Sequence, residues 1–240
     1  MKRKLLITAW LLIPIVMLAY HYGPGQRGVA LDRAAKLVMQ ARAAERAEDW
    51  AAACTAWSEA LAALPADDVA DRFRIRLAQA NARVWLGELP ESIQDLEGLL
   101  AEVQKTADSK LEGEVRGALA AGQYYAGWLM RLEGAEPAEW TIPVEESRQH
   151  FRLLAEQADS RADAHAAQDQ RKNLEAVIRL ARMDLSELQA QPLPKECSGC
   201  KNCSQKCRSQ RQSQCKNPGD KKPEDARKAG TGKRPDGSGS

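Results

Sequence analysis

Apolar side chains recur every three or four residues from Val29 to about Gln189, with charged and polar residues between them. This spacing predicts amphipathic α-helices through almost the whole segment. Polar, Pro-containing or Gly-containing interruptions divide it at residues 65–68, 87–90, 106–109, 134–143 and 159–160. The breaks predict about seven helices and an all-α fold. Because the loops are short, we expect antiparallel neighbours, which are the packing unit of an α-solenoid.

Several predicted helix starts have residues that are typical of caps. Ser109-x-x-Glu112 and Ser160-x-x-Asp163 fit capping boxes or close variants. Pro90 and Pro143 suit the first turn of a helix, where the missing N–H costs nothing. These positions support the predicted boundaries independently of the hydrophobic pattern.

A pattern of small, large and apolar side chains at offsets zero, four and seven occurs three times. The instances are Ala53, Trp57 and Ala60; Ser92, Leu96 and Leu99; and Ser147, Phe151 and Leu154. Small residues beside a bulky one put a notched apolar stripe on one helix face, so that a neighbouring helix can approach closely. Successive instances are 39 and then 55 residues apart.

The segment from Glu48 to Pro65 resembles the second helix of a tetratricopeptide repeat, and Gly87-Glu88-Leu89 resembles the turn between the paired helices of that family. The resemblance covers roughly residues 30–160. The period of the family is about 34 residues, so residues 65–71 and 134–143 must hold insertions. The resemblance implies a stack of helix pairs that binds other proteins, with no catalytic activity.

The whole chain is also similar to uncharacterised membrane-anchored tetratricopeptide-like proteins of bacteria, a likeness that implies no particular activity. On this interpretation the helical domain comprises residues 27–190. Long helices are predicted from Leu111 to Leu132 and from Ala162 to Gln189. They are expected to close the ends of the stack, because two complete pairs are fewer than the three repeats that usually give stability.

The N-terminus predicts a membrane anchor. Lys2-Arg3-Lys4 precedes an apolar run from Leu5 to Tyr22, and these eighteen residues would give a helix of about 27 Å, enough for a bilayer core. The basic residues should stay in the cytoplasm. Residues 1–26 are therefore predicted to be a signal anchor and short linker. The bulk of the chain would lie in the periplasm, or outside the cytoplasm, beside the bacterial inner membrane.

Two alternatives to an uncleaved anchor remain open. A cleaved signal peptide would give a soluble secreted form, although Leu18-Ala19-Tyr20 is a poor cleavage site. A buried helix of a soluble domain is disfavoured by the flanking charges and by the length of the apolar run. The uncleaved anchor and the cleaved signal peptide would both export everything after Tyr22.

The net charge of +2 conceals three regions of different sign. Residues 195–240 hold 12 basic and 5 acidic side chains, and residues 1–4 add three positive charges, so the middle carries about −8. An acidic helical body does not point to nucleic acid as a partner. The basic tail, however, can attract an acidic surface.

The predicted tail, residues 191–240, combines low complexity with a cysteine cluster. The cysteines Cys197, Cys200, Cys203 and Cys207 have the spacing of one half of a bacterial ferredoxin motif. Arg208 replaces the proline of that motif, and no second run of cysteines follows. Disulfides or free thiols, a zinc site and an iron-sulfur cluster all remain open. Beyond Cys215 the composition predicts disorder.

No other residues predict a reaction, so the chain is not expected to be an enzyme. His21, His150 and His165 have no metal-binding spacing, and no nucleophile or phosphate-loop motif is present. Cys54 is interpreted as a small buried residue. An aromatic patch lies at residues 124–128 of a predicted helix. Trp128 is expected to be a core residue. Tyr124 or Tyr125 is a candidate for an exposed partner-binding surface.

Overall fold

The structure, a computed structural model, describes residues 24–191 and, before them, positions 10, 12–14 and 17–18. Between residues 24 and 191 the chain forms eight helices and no strand. They are α1 (Pro24–Arg46), α2 (Trp50–Ala63), α3 (Val69–Leu86), α4 (Leu89–Val103), α5 (Ser109–Leu132), α6 (Pro137–Ser160), α7 (Ala164–Arg182) and α8 (Leu185–Gln189). The described part of the chain is therefore all-α, as the hydrophobic pattern predicts.

The described residues include no helix that is both long and apolar enough to cross a membrane. The predicted anchor, residues 5–22, lies mostly outside the described residues. Residues 24–26, predicted to belong to a short linker, form the first turn of α1. Proline at position 24 is compatible with this, because its fixed φ suits the start of a helix.

From α1 to α7 each helix lies against the next one along the chain, and α8 lies against α5. Ion pairs give the direction of neighbouring helices. Arg76, early in α3, contacts Glu102 near the end of α4, with 2.7 Å between Nη1 and Oε2. Arg83, further along α3, contacts Asp95, earlier in α4. The order of contacts is reversed between the two helices, so α3 and α4 are antiparallel.

The turns of the helix stack alternate between its two ends. The turns at residues 47–49, 87–88 and 133–136 lie at one end, here termed the distal end because it is opposite the start of α1. In the turn after α3, Gly87 has a φ of 91°. The helix ends here, and the Glu88 N–H donates to the Arg83 carbonyl at 3.0 Å. Glycine adopts this left-handed conformation without strain.

The three small, large and apolar triads all form buried contacts. Each lies in the second helix of an antiparallel pair, in α2, α4 or α6, and all nine side chains are buried. Ser92 Oγ donates to the Ala80 carbonyl at 2.8 Å, and Ser147 Oγ donates to the Ala120 carbonyl at 2.7 Å. The serines therefore permit close approach of the preceding helix and also satisfy their own hydroxyl groups.

The core consists of three successive clusters of buried side chains. The first joins α1, α2 and α3 around Trp57, the second joins α3, α4 and α5 around Leu96 and Leu99, and the third joins α5 to α8 around Trp128 and Phe151. Among the described helices, α3 and α5 each contribute to two clusters. This arrangement follows from helices that pack mainly against their neighbours in sequence.

Both predicted capping boxes are wrong by a few residues. Ser109 is the first residue inside α5, and the cap is Asp108, whose Oδ1 accepts the N–H of the third helical residue at 3.0 Å. Ser160 is the last residue of α6, while Asp163 Oδ1 caps α7 with the same geometry, also at 3.0 Å. In both places a nearby aspartate takes the capping role, because its short side chain reaches this N–H.

Pro143 is not in the first turn of its helix, as predicted, but inside α6. The helix begins earlier, at Pro137, because Glu136 and Glu139 form a reciprocal capping box. Residues 137–143 therefore extend α6 by two turns ahead of its triad. This extension accounts for part of the long spacing between the second and third triads.

The helix predicted from Ala162 to Gln189 is two helices. Arg131 of α5 donates from its guanidinium to the carbonyls of Leu180 and Met183, the latter at 2.6 Å, where α7 ends. Asp184 then caps α8 by accepting the Glu187 N–H at 2.7 Å. The side chain from α5 and the new cap together break the helical pattern.

Any side chain at position 127, where the native residue is Gly127, is expected to destabilise the fold. A Cβ added there would lie 2.3 Å from Val144 Cγ2 in α6, whereas a Cβ at Gly117, in the same helix, would lie 3.8 Å from Leu154 Cδ1. Gly127→Ala should therefore lower the free energy of unfolding by about 1–3 kcal/mol. Gly117→Ala should raise it by up to about 1 kcal/mol, because alanine favours helix. Urea unfolding of the two variants compares them, and equal effects would contradict the close α5–α6 contact.

Candidate partner-binding surface

Tyr124 and Tyr125 lie side by side on α5, and both are partly exposed. The Tyr124 ring packs edge-on against Trp128, with 5.9 Å between centroids and 65° between planes, and it borders the third core cluster. Trp128 itself is buried, as predicted. Tyr124 therefore shares its ring between the core and the surface, and the structure gives Tyr125 no comparable ring contact among the described residues.

The hydroxyl of Tyr124 remains protonated at any physiological pH. Burial raises the pKa of Tyr124 to about 12, while the positive charge of Arg179 acts in the opposite direction. Arg179 therefore lies within electrostatic reach of this hydroxyl, across from α5 on α7. A phenol next to a guanidinium presents hydrogen-bond donors and an acceptor at the edge of an aromatic surface.

Arg179 also belongs to a shallow open depression of about 360 Å³ on α7 and α8. The lining residues are Glu175, Ile178, Arg179, Arg182, Met183 and Glu187. Both signs of charge flank an apolar floor there, which is the mixed composition of protein-binding surfaces. Neither Tyr124 nor Tyr125 lines the depression, so Arg179 is the residue that connects the two features.

A second open depression, of about 520 Å³, lies near the start of α6. The lining residues are Thr141, Ile142, Glu145 and Glu146. Ile142 is 60% exposed. Hydrogen bonds from Arg148 and Gln149 lower the pKa of Glu145 to about 2. The two glutamates are exposed, as expected of paired acids on a solvated helix face.

At the distal end, Trp50 and Trp85 stack with 5.3 Å between ring centroids and 16° between planes. Trp50 is the first residue of α2, and Trp85 lies in the last turn of α3. Sequence reasoning missed this pair, because the residues are 35 positions apart and belong to no common motif. The only available signal was their position next to Asp49 and Gly87, at turns that share one end of the stack.

Cys54 lies one turn after Trp50 and is a free thiol that is only partly buried. Burial is the main reason that the pKa of Cys54 is raised, and the charges of Glu88 and Glu45 act in the same direction. A thiol with a raised pKa is a poor nucleophile at neutral pH. The side chain packs against the first core cluster, in agreement with a packing role.

Polar side chains that sequence reasoning did not identify are buried between α5 and α6. Arg116 is 7% exposed, donates to Glu112 Oε1 at 2.6 Å and also reaches His150 Nδ1 at 3.3 Å. Gln123 Nε2 donates to Glu146 Oε2 at 2.8 Å. A guanidinium can only donate, so Nδ1 of His150 accepts and the proton of the neutral ring is on Nε2.

Acid is expected to weaken this interface through His150. Burial, and secondarily the Arg116 guanidinium, lower the pKa of His150, so the unfolded chain binds the proton more readily than the folded one. The contribution to stability is complete above about pH 6.5, the ordinary pKa of histidine, and falls as the pH drops below it. Urea midpoints between about pH 7.5 and 5.5 should show a smaller decline for His150→Gln than for the wild type. Parallel declines would contradict the assignment.

The remaining candidate ligands give no metal site where the structure describes them. No group of three or more His, Cys, Asp or Glu side chains in residues 24–191 and the earlier described positions could hold a metal ion. His165 is exposed, with Nδ1 3.2 Å from Asp169. The cluster from Cys197 to Cys207 lies outside the described residues, so its thiols stay candidates on spacing alone.

Comparisons with protein-family models, curated proteins and solved structures complete the description of these surfaces. None of them finds a match. The tetratricopeptide resemblance therefore stays a prediction from the sequence.

Proposed function

We propose that the chain is a membrane-anchored scaffold whose tetratricopeptide-like helical domain binds a partner protein on the exported side of the membrane. The main observation in its support is the position of the three buried triads. Each occupies the second helix of a successive antiparallel pair and packs through a small residue against a neighbour. Repeated helix pairs build long surfaces suited to protein binding.

The proposed docking surface comprises Tyr125, the exposed edge of Tyr124, and the α7–α8 depression that includes Arg179. Tyrosine and arginine are common at the centres of protein interfaces, because each combines apolar area with directional hydrogen bonds. The depression on α7 and α8 is shallow and open, which is compatible with a broad partner. The terminal helices α7 and α8 bury Leu180 and Leu188 against α5 and α6, so this surface has a rigid support.

The proposed location rests on the N-terminal sequence. The basic residues at positions 2–4 and the apolar run at 5–22 fit a single-pass anchor in the bacterial inner membrane, with the helical domain outside the cytoplasm. The mass of the mature N-terminus tests this. An intact N-terminus in the membrane fraction supports an anchor, whereas removal of residues up to about 20 would contradict it.

The binding proposal can be tested by crosslinking in membranes and purification of the full-length chain in detergent. A specific protein should be captured by the wild type and captured several-fold less by Tyr125→Ser and Arg179→Ala. Arg152→Ala is the matched control, because Arg152 is an exposed arginine of α6 that, within residues 24–191, pairs with Glu156 on the same helix, at 3.5 Å. Failure to capture any specific protein, or equal capture by all variants, would contradict the proposal.

The cysteine spacing supports a second candidate, a metal or redox protein that acts through Cys197, Cys200, Cys203 and Cys207. Four thiolates at such short separations can bind zinc or, less readily outside the cytoplasm, an iron-sulfur cluster. Elemental analysis and a visible absorption spectrum of anaerobically purified protein distinguish a zinc site from an iron-sulfur cluster. A colourless sample free of metal would eliminate this candidate.

A further inference from the structure

The stacked tryptophans at the distal end form an unusual exposed surface. One face of Trp85 rests on Trp50, yet Trp85 remains 46% exposed. Leu86, the next residue, is 40% exposed. A large aromatic side chain in the last helical turn is held in place by its neighbour while it stays open to a partner, which is the property of an interface anchor.

Negative charge surrounds this pair. Glu45 lies in the last turn of α1, Glu48 and Asp49 lie in the turn before Trp50, and Glu88 lies in the α3–α4 turn after Trp85. Glu88 and Glu45 both act electrostatically on the Cys54 thiol, one turn after Trp50, and Arg83 acts on it with the opposite sign. In addition, the carbonyl end of α3 carries partial negative charge.

Arg83, the arginine beside the α3–α4 turn, is already paired. Arg83 contacts Asp95 and also Glu88, with 3.5 Å between Nε and Oε2 in the second pair. Glu48 forms no ion pair in the described part of the chain. Arg46, the last residue of α1, is the other cation nearby, so the four carboxylates of Glu45, Glu48, Asp49 and Glu88 outnumber the two arginines. A positively charged side chain that approaches Trp85 would therefore meet an aromatic face in a region of net negative charge.

The third helix pair of the same chain already contains such an interaction. The Arg131 guanidinium lies over the Trp140 ring, 4.5 Å from its centroid, next to the α5–α6 turn at the distal end. Within residues 24–191, no cation occupies the equivalent place over Trp50 or Trp85. An arginine therefore covers a tryptophan at one distal turn, whereas no cation in the described part of the chain covers Trp50 or Trp85 at the other distal turns.

We propose that Trp50 and Trp85 form a docking point for an arginine side chain from a basic segment of a partner protein. Arginine fits better than lysine, because its planar guanidinium stacks on an indole and also donates to carboxylates in a fixed geometry. Glu48 and Glu88 are the acceptors that remain near the stack in sequence, since Asp49, which is closer, already accepts the Ala52 N–H as the cap of α2. This inference rests on the proposed protein-binding function but uses a surface separate from Tyr125 and Arg179.

The test uses the full-length chain labelled with ¹⁵N at the tryptophan indoles and a short peptide of alternating glycine and arginine. The indole N–H signals of Trp50 and Trp85, assigned with Trp→Phe variants, should shift on titration, while that of buried Trp128 should not. Trp85→Leu and Glu88→Gln should each weaken peptide binding about two- to fivefold, the size of an exposed cation–π or charge contribution. Both positions are at the surface, and circular dichroism verifies folding.

Ile142→Ala provides the matched control, since Ile142 is an exposed apolar residue elsewhere on the domain. Unchanged peptide affinity in this variant is expected. Indole signals of Trp50 and Trp85 that do not move, or an equal loss of affinity in Ile142→Ala, would overturn the inference. Neither result affects the partner-capture test of Tyr125 and Arg179, so failure of this docking point is distinguishable from failure of the proposed function.

Discussion

Trp57→Ala is expected to lower the free energy of unfolding by about 3–5 kcal/mol, the usual cost of removing a buried aromatic ring. Trp57 is only 2% exposed. Five of the other seven buried members of the first core cluster are alanines, at positions 34, 41, 53, 60 and 82. Small neighbours cannot move inward far enough to fill the space, so we expect a large cavity. Urea unfolding monitored by circular dichroism measures the loss.

Trp57→Phe separates the ring from its hydrogen bond. Trp57 Nε1 donates to Glu45 Oε1 at 2.8 Å, linking α2 to α1. Phenylalanine keeps much of the apolar volume but not this donor, so its cost should be smaller, about 1–2 kcal/mol. A phenylalanine variant as unstable as the alanine variant would show that the hydrogen bond, rather than the volume, holds the first pair together.

Arg131→Ala is expected to release the C-terminal helices at a cost of about 2–4 kcal/mol. Arg131 joins three elements, because it donates to two carbonyls at the end of α7, belongs to α5 and covers Trp140 of α6. Hydrogen bonds from a charged group contribute about 1.5–3 kcal/mol each when well shielded, and partial exposure reduces this here. Amide hydrogen exchange should accelerate in α7 and α8 more than in α1 to α4.

Two variants serve as controls for Arg131. Arg131→Lys keeps the charge but lacks the forked guanidinium, so it should lose roughly half of the stabilisation. Arg182→Ala removes an exposed arginine from the last turn of α7 and should cost no more than about 0.5 kcal/mol. Equal effects of Arg131→Ala and Arg182→Ala would mean that net charge, not the contacts with the carbonyls, governs the attachment of α7.

Hydrophobic periodicity was sufficient to predict most of the helices. The predicted break at residues 65–68 falls between observed helices, and those at 87–90 and 106–109 overlap only the first residues of α4 and α5, because glycine, proline and short polar residues oppose helix locally. The precise starts were harder to predict. Asp108 and Ser109 are both acceptable caps, and the backbone geometry of the turn decides between them.

Contacts between distant helices could not be predicted from local patterns. The break after Arg182 depends on Arg131, which is about fifty residues earlier in the chain. In the same way, the spacing on α5 suggested Tyr124 as a surface residue, but the buried fraction of its ring depends on how closely α7 packs against α5. The stacking of Trp50 on Trp85 follows from the antiparallel order of α2 and α3, which no local motif specifies.

The division of the core into three clusters has a mechanical consequence. A helix stack whose clusters share only α3 and α5 can lose contacts at one end while the other end stays folded. Tension transmitted through α1 would act first on the alanine-lined cluster around Trp57. The leucine-rich and phenylalanine-containing clusters beyond it would be shielded until that first pair had peeled away.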